Sequence, residues 1–132
     1  MIYLATPFWH EAEKIRLGRV ASAIFITRAL VRLGQPVFSP IVHSHTLNNP
    51  DKLGSFRHLP MTNDEWVDLD LSYIKSCQYM LVAQIEGWKE SKGIEREIQF
   101  CLMKGIPVAY LTPEDCTNLE YDERLQSSTV LK

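Results

Sequence analysis

Four short apolar runs alternate with longer helical patterns, and this alternation constrains the fold more than any other feature of the sequence. The runs are IYLA at residues 2–5, QPVFS at 35–39, YMLVA at 79–83 and IPVAYL at 106–111. Helical patterns lie between them, over roughly residues 11–33, 62–76 and 92–104. Because parallel strands need crossover connections of about this length, the pattern predicts a parallel sheet covered by helices on both faces.

The chain of 132 residues is long enough for one domain, and the predicted elements all lie within residues 1–112. Residues 113–132 carry little pattern and are predicted to be a C-terminal extension that forms an arm or a subunit contact. Residues 40–60 hold three prolines and three histidines and are predicted to form a long loop. The first helix is predicted to face the sheet with one apolar stripe, formed by Leu17, Val20, Ala21, Ile24, Thr27 and Val31.

Composition excludes several classes of function. The net charge is −2 and no long basic run occurs, so no nucleic-acid partner is expected. The apolar runs are far too short to cross a membrane, and no signal peptide is recognisable. Three cysteines without CxxC spacing favour reduced, buried thiols in a cytoplasmic protein over a disulfide framework or a zinc site.

Two acids lie on apolar faces of predicted helices. The neighbours of a helical side chain are three and four positions away. None of those neighbours is polar for Glu97, and those of Asp70 are aromatic or aliphatic, whereas Glu95 and Asp68 have mostly polar ones. A carboxylate on an apolar face must be paired, neutralised or retained for function. Glu97 and Asp70 are therefore candidate functional acids, with a hydrogen-bonded structural acid as the alternative.

The turn before Glu97 is a candidate binding site. Ser91, Lys92 and Gly93 open the helix, where free amides favour anions. Helical side chains lean toward the N-terminus, so Glu97 should lie beneath Gly93, which has no Cβ to block a ligand. A plain N-cap is the alternative role for Ser91.

Further candidates come from strand ends and from the predicted loop. In parallel sheets the ligand site lies at the carboxyl ends of the strands, which predicts substrate contacts by Thr6, Pro7, Trp9 and Trp88.

The histidines at positions 43 and 45 would share one face of an extended segment. No third metal ligand has suitable spacing, since Asp51 and His58 are near only in sequence, and so no metal or cofactor is expected. His43 and His45 are interpreted as ligand contacts, with plain loop structure as the alternative.

Four motifs occur in the order found in the nucleoside 2-deoxyribosyltransferase superfamily. They are IYLATPF at 2–8, FSPIVHSH at 38–45, DLDLSYIKSCQYMLV at 68–82 and GWKESKGIEREIQFC at 87–101. The chain therefore resembles this superfamily over about residues 1–112, in particular a small branch with the FSPIVHSH stretch. The resemblance implies a flavodoxin-like three-layer sandwich, with a sheet of four to five strands, and a homodimer or higher homo-oligomer.

Members of that superfamily cleave the N-glycosidic bond of 2′-deoxynucleosides or of their 5′-phosphates. By resemblance, Glu97 attacks C1′, Asp70 assists and Tyr3 orients the glutamate. Relatives that hydrolyse 5′-monophosphates carry a serine six residues before the nucleophile, as this chain does at Ser91, where nucleoside transferases carry an aspartate. The chain departs from the superfamily in Gln99, where the transferases usually have glycine.

The resemblance implies a 2′-deoxynucleoside 5′-monophosphate N-hydrolase. Deoxyribosyl transfer between bases on free nucleosides is one alternative. Binding of a nucleotide or a nucleotide-derived signal without turnover is the other.

Overall fold

The computed structural model of the chain describes residues 1–49 and 61–130. Its elements, in chain order, are β1 (Ile2–Ala5), α1 (Glu13–Arg32), β2 (Val37–Phe38), α2 (Pro40–Asn48), α3 (Asn63–Lys75), β3 (Tyr79–Ala83), α4 (Lys92–Lys104), β4 (Val108–Leu111) and α5 (Pro113–Val130).

The four strands form one parallel sheet in the order β2-β1-β3-β4. Each crossover carries at least one helix, as parallel strands require. The order 2-1-3-4 is the flavodoxin-like arrangement, in which the sequence order reverses beside β1. The prediction of a flavodoxin-like α/β sandwich with a parallel sheet is therefore confirmed.

Alternate residues of each strand pack against opposite helical layers, as the period of two in a strand demands. Tyr3 and Ala5 of β1 lie in one core cluster with Ile74 of α3 and Ile94 of α4. The other face of β1 joins a second cluster that includes Ile26 of α1 and a cysteine of α5. The sheet is thus the middle of three layers, with α3 and α4 on one side and α1 and α5 on the other.

The predicted buried stripe of α1 is wrong at most of its positions. Leu17, Ile24 and Val31 are exposed, and the buried residues of the helix are Val20, Ala23, Ile26, Ala29 and Leu30. Because α1 is apolar on nearly every face, its sequence fits more than one stripe. The position of the sheet and of α5 decides which stripe is covered.

The prediction of a continuous loop over residues 40–60 is wrong for its first part, which is helix α2. Ser39 caps this helix by accepting from Val42 N at 3.3 Å, and Pro40 occupies the first helical position. Proline is favoured there because its missing N–H would have no intrahelical partner. Residues 50–60 lie outside the described residues.

The segment after residue 112, for which no element was predicted, contains helix α5. Its Glu123 is buried and pairs with two arginines of α1, Arg28 at 3.0 Å and Arg32 at 3.1 Å. These ion pairs and the contacts of Cys116 with the core hold α5 against the sheet and α1. None of the helices in residues 1–49 and 61–130 is long and apolar enough to cross a membrane.

Candidate active site

The site lies where β1 and β3 end at their carboxyl termini. The chain leaves β3 at Ala83, passes through a turn that contains Gly87, and enters α4 at Lys92. The positive φ of 95° at Gly87 is a conformation that a side chain would strain. This turn aims the N-terminus of α4 at the edge of the sheet where the ligands of such folds bind.

Glu97 is the buried acid of this region, with 9% of its surface exposed. The Tyr3 hydroxyl of β1 donates a hydrogen bond to Glu97 Oε2. Tyr3 is fully buried, so its ring is held by the core while its hydroxyl reaches the carboxylate. The structure thus joins the first strand to α4 through a tyrosine–carboxylate contact.

The pKa of Glu97 is raised from 4.5 to about 8, mainly by burial; the Tyr3 hydrogen bond opposes this rise and the charge of Asp70 adds to it. The pKa of Tyr3 is also raised, first by burial and then by the charges of Glu97 and Asp70. Tyr3 therefore stays protonated and remains a hydrogen-bond donor at any physiological pH.

Asp70 is the second acid of the site. It is half-buried on α3, and burial raises its pKa from 3.8 to about 6. The charge of Asp70 raises the pKa values of both Tyr3 and Glu97, so the titrations of the two carboxylates are coupled. Two titratable groups with pKa values pushed apart by their surroundings are the usual arrangement of an acid and a base in catalysis.

The burial contrast predicted from helical neighbours is confirmed. Glu97 is buried while Glu95 is exposed, and Asp70 is half-buried while Asp68 is exposed. The apolar neighbours of each acid thus identified the pair that faces the interior.

At the start of α4, Ser91 is the N-cap and its Oγ accepts from Ile94 N at 3.2 Å. The first amides of a helix have no intrahelical acceptor, so those of Lys92 and Gly93 can donate to a ligand. The hydroxyl proton of Ser91 can also donate while its oxygen caps the helix. Ser91 can therefore combine the two roles that the sequence left as alternatives.

A cavity of about 350 Å³ opens beside this helix start. One wall is formed by Trp9, His10 and Arg19, and the other belongs to the turn, with Glu86, Gly87, Glu90 and Ser91. Trp9 is 74% exposed, and the guanidinium of Arg16 lies 5.2 Å from the centroid of its ring. The volume is within the usual range of ligand sites.

Thr6 and Pro7, at the end of β1, are both buried. In the part of the chain that the structure describes, Thr6 Oγ1 is buried without a hydrogen-bond partner. An unpaired buried hydroxyl is costly and needs an explanation. A ligand at the strand end would supply the missing partner.

The two histidines of α2 have different surroundings. His43 packs against Phe38 and Tyr73, with ring centroids 5.4 and 5.6 Å away, and within the described residues its buried Nδ1 has no partner. His45 interacts with Asn49, whose Nδ2 donates to the His45 carbonyl at 2.8 Å. The expectation that they share a face is wrong, because residues two apart on a helix lie about 200° apart.

An aromatic cluster links His43 to the acid site. Phe38 lies 6.0 Å from Tyr3 and 4.4 Å from Tyr73, measured between ring centroids. His43 therefore contacts Phe38, which in turn contacts the tyrosine that is hydrogen-bonded to Glu97. Trp88, by contrast, packs against the core and edge-on to Tyr110 at 5.9 Å, and it is not among the described residues that line the cavity.

Arg19 is the residue whose position sequence reasoning could not fix. Its place near the start of α1 favours solvent exposure on sequence grounds, with contact to an anion as the alternative. In the structure it is half-buried and its Nη1 donates to the Trp9 carbonyl at 2.6 Å. The sequence signal that could have indicated the position of Arg19 is Gly87, because a glycine in a turn leaves room for a side chain from another element.

Together, the fold and the site define an α/β protein with two acids at the carboxyl edge of a parallel sheet. One acid is buried and hydrogen-bonded to a tyrosine, and the pKa of the other is also raised. Residues 1–112 match the family described as "Domain of unknown function (DUF1937)". The chain therefore belongs to that family. No curated protein matches the chain.

Proposed function

We propose that this protein cleaves the N-glycosidic bond of 2′-deoxynucleoside 5′-monophosphates, with Glu97 as the nucleophile. The observation that carries the proposal is the buried Glu97 carboxylate, held by the Tyr3 hydroxyl and coupled to Asp70 at the carboxyl edge of the sheet. An acid that is costly to bury and has no cationic partner among the described residues is typical of catalytic sites. The resemblance to nucleoside 2-deoxyribosyltransferases supports the same assignment.

In the first step, a Glu97 oxygen forms a bond to C1′ as the C1′–N bond to the base breaks. The reactive form has Glu97 ionised and the pair's one proton on Asp70, which donates it to the departing base; with pKa values of about 8 for Glu97 and about 6 for Asp70, this is the minor one-proton form of the pair. The tyrosine hydroxyl holds the other oxygen of Glu97 and so fixes the direction of attack. The product of this step is a glycosyl ester on Glu97.

In the second step, water attacks C1′ and releases Glu97 and 2-deoxyribose 5-phosphate. The Asp70 carboxylate, deprotonated in the first step, accepts the proton of the water. A second base in place of water would give deoxyribosyl transfer. Whether the deoxyribosyl group passes to water or to a second base thus depends on which of them enters the site after the first base leaves.

The preference for a 5′-phosphate is supported by the start of α4. Ser91 is an N-cap whose hydroxyl proton is available, and the amides of Lys92 and Gly93 are helix-terminal donors. One observation favours the alternative of free nucleosides, because Glu86 and Glu90 also line the cavity and would repel a phosphate.

The direct test incubates the protein with matched pairs of 2′-deoxynucleosides and their 5′-monophosphates and measures free base. We expect base release from the monophosphates, and its loss in Glu97→Ala with retention in Glu95→Ala. Ser91→Asp should reduce turnover of the monophosphate far more than of the nucleoside. Binding of monophosphates without base release would instead indicate a non-catalytic nucleotide-binding protein, and preference for free nucleosides would refute the phosphate assignment.

We also infer that the protein forms a homodimer or a higher homo-oligomer in the cytoplasm. Leu17, Ile24 and Val31 are exposed at intervals of seven residues on the outer face of α1, a spacing suited to packing against another helix. The three free, buried cysteines fit a reducing compartment. Sedimentation of the wild type and of Ile24→Lys tests the oligomer, and an active wild-type monomer at micromolar concentration would refute it.

A further inference from the structure

Arg19 is placed in the cavity beside the start of α4 by two contacts. Its Nη1 donates to the carbonyl oxygen of Trp9 at 2.6 Å. Its Nη2 lies over Gly87, where a Cβ would collide with the guanidinium. The absence of a side chain at Gly87 is therefore what lets an arginine of α1 reach the turn before α4.

The guanidinium of Arg19 is held in place and still has N–H donors available for a ligand. An arginine has five N–H donors in a planar fork, so the Trp9 carbonyl leaves most of them for another acceptor. Arg19 is half-buried, which weakens screening by solvent relative to a fully exposed charge. A planar fork of this kind matches the geometry of phosphate oxygens, and often binds two of them at once.

Arg19 offsets the negative charge of the other residues that line the cavity. Glu86 and Glu90 line the same space and are exposed, and Ser91 on the same wall adds a hydroxyl but no charge. Without Arg19 the lining would carry two acids and would disfavour a dianion. The α4 amides contribute only the partial charge of a helix terminus.

We propose that Arg19 is the specificity-determining residue that recognises the 5′-phosphate of the substrate. This inference rests on the proposed N-glycosidic activity for the identity of the phosphate ester. Arg19 supplies the positive charge and the Ser91 side of the cavity supplies neutral donors. Trp9 and Gly87 act as the supports that hold the guanidinium at the cavity wall.

The test measures binding separately from catalysis. Affinities for 2-deoxyribose 5-phosphate and for unphosphorylated 2-deoxyribose are measured by calorimetry or ligand-observed NMR. The variants are Arg19→Gln, Arg19→Lys and Lys14→Gln, each checked for folding by circular dichroism. Lys14 is the matched control, because it is an exposed cation on the same helix and is not among the residues that line the cavity.

Arg19→Gln is expected to weaken binding of 2-deoxyribose 5-phosphate by roughly 10- to 100-fold, the range of a charge-assisted hydrogen-bonded contact. Arg19→Lys should recover part of that loss because it keeps the charge without the fork. Binding of 2-deoxyribose should change little in any variant, and Lys14→Gln should match the wild type. An Arg19→Gln protein that binds the phosphate like the wild type overturns the inference, as does a wild type that does not bind it.

A second variant changes the affinity in the opposite direction. Glu90→Gln removes a negative charge from the cavity lining, so it should strengthen binding of 2-deoxyribose 5-phosphate several-fold. If it has no effect, the phosphate does not occupy this cavity, whatever the Arg19 variants do. Arg19-dependent binding without base release from any nucleotide would refute the proposed activity and leave the phosphate site standing.

Discussion

Glu97 should destabilise the folded protein at neutral pH, because its side chain must take up a proton on folding, and Glu97→Gln should relieve that cost. The amide keeps the size of the side chain, and its carbonyl oxygen can still accept from the Tyr3 hydroxyl. The substitution removes the titrating group, so the folded protein no longer needs to bind a proton at this position. We expect the variant to be inactive and more stable than the wild type, which is the usual trade between activity and stability in a catalytic site.

The magnitude follows from the two pKa values of Glu97, 4.5 when free in water and about 8 in the folded protein. A group whose pKa rises on folding contributes most stability below its unfolded value and loses it as the pH rises through the folded value. Each pH unit in that window costs about 1.36 kcal/mol. The cost is therefore about 3 kcal/mol at pH 7 and reaches about 5 kcal/mol above pH 8.

The assay is urea unfolding of wild type, Glu97→Gln and the exposed control Glu95→Gln at a series of pH values between 4 and 9. The free-energy advantage of Glu97→Gln over the wild type should be small near pH 4, grow through pH 7 and level off above pH 8. A domain is stable by only about 5–15 kcal/mol, so a difference of this size is readily measured. An advantage that stays constant from pH 4 to 9 would refute the argument.

Four further outcomes are expected. Asp70→Asn should lower base release by about 10²- to 10⁴-fold without unfolding the protein, while Asp68→Asn has little effect; full activity of Asp70→Asn would make Asp70 a structural acid. The pH profile of kcat/KM should be bell-shaped with limbs near pH 6 and 8, because the acid pair must hold one proton, and a flat profile from pH 5 to 9 would contradict this. Gly93→Ala should fold normally, since the nearest atom to an added Cβ is 3.8 Å away, but should impair substrate binding; unchanged KM would mean that no ligand lies over this turn. Glu123→Ala should cost about 1–3 kcal/mol in thermal or urea unfolding by breaking two ion pairs with half-exposed arginines, and an unchanged midpoint would show that the pairs do not stabilise α5.

The sequence by itself determined the parallel α/β fold and the acids that face its interior. Strand-length apolar runs separated by helix-length segments permit few other topologies, because parallel strands require crossovers. The apolar neighbours of Glu97 and Asp70 sufficed to separate them from Glu95 and Asp68, since helical neighbours are fixed by the local geometry of 3.6 residues per turn.

The buried face of α1 and the packing of α5 were decided by tertiary structure. The apolar residues of α1 surround the helix, so its buried stripe depends on where the sheet and α5 pack. For α2, by contrast, the proline content favours a loop, but Ser39 and Pro40 are a local helix-start signal that the sequence already contains. For α5, the buried contacts of Glu123 come from α1, a segment about 90 residues away in sequence.

The contacts that give the site its chemistry also join distant parts of the chain. The Tyr3 hydroxyl meets Glu97 across 94 positions, and Arg19 of α1 reaches the turn that contains Gly87. Neighbours along a helix predict which face is buried, but they carry no information about which side chain of another element arrives there. The raised pKa of Glu97 depends on that packing, because desolvation is a property of the folded interior and not of the local sequence.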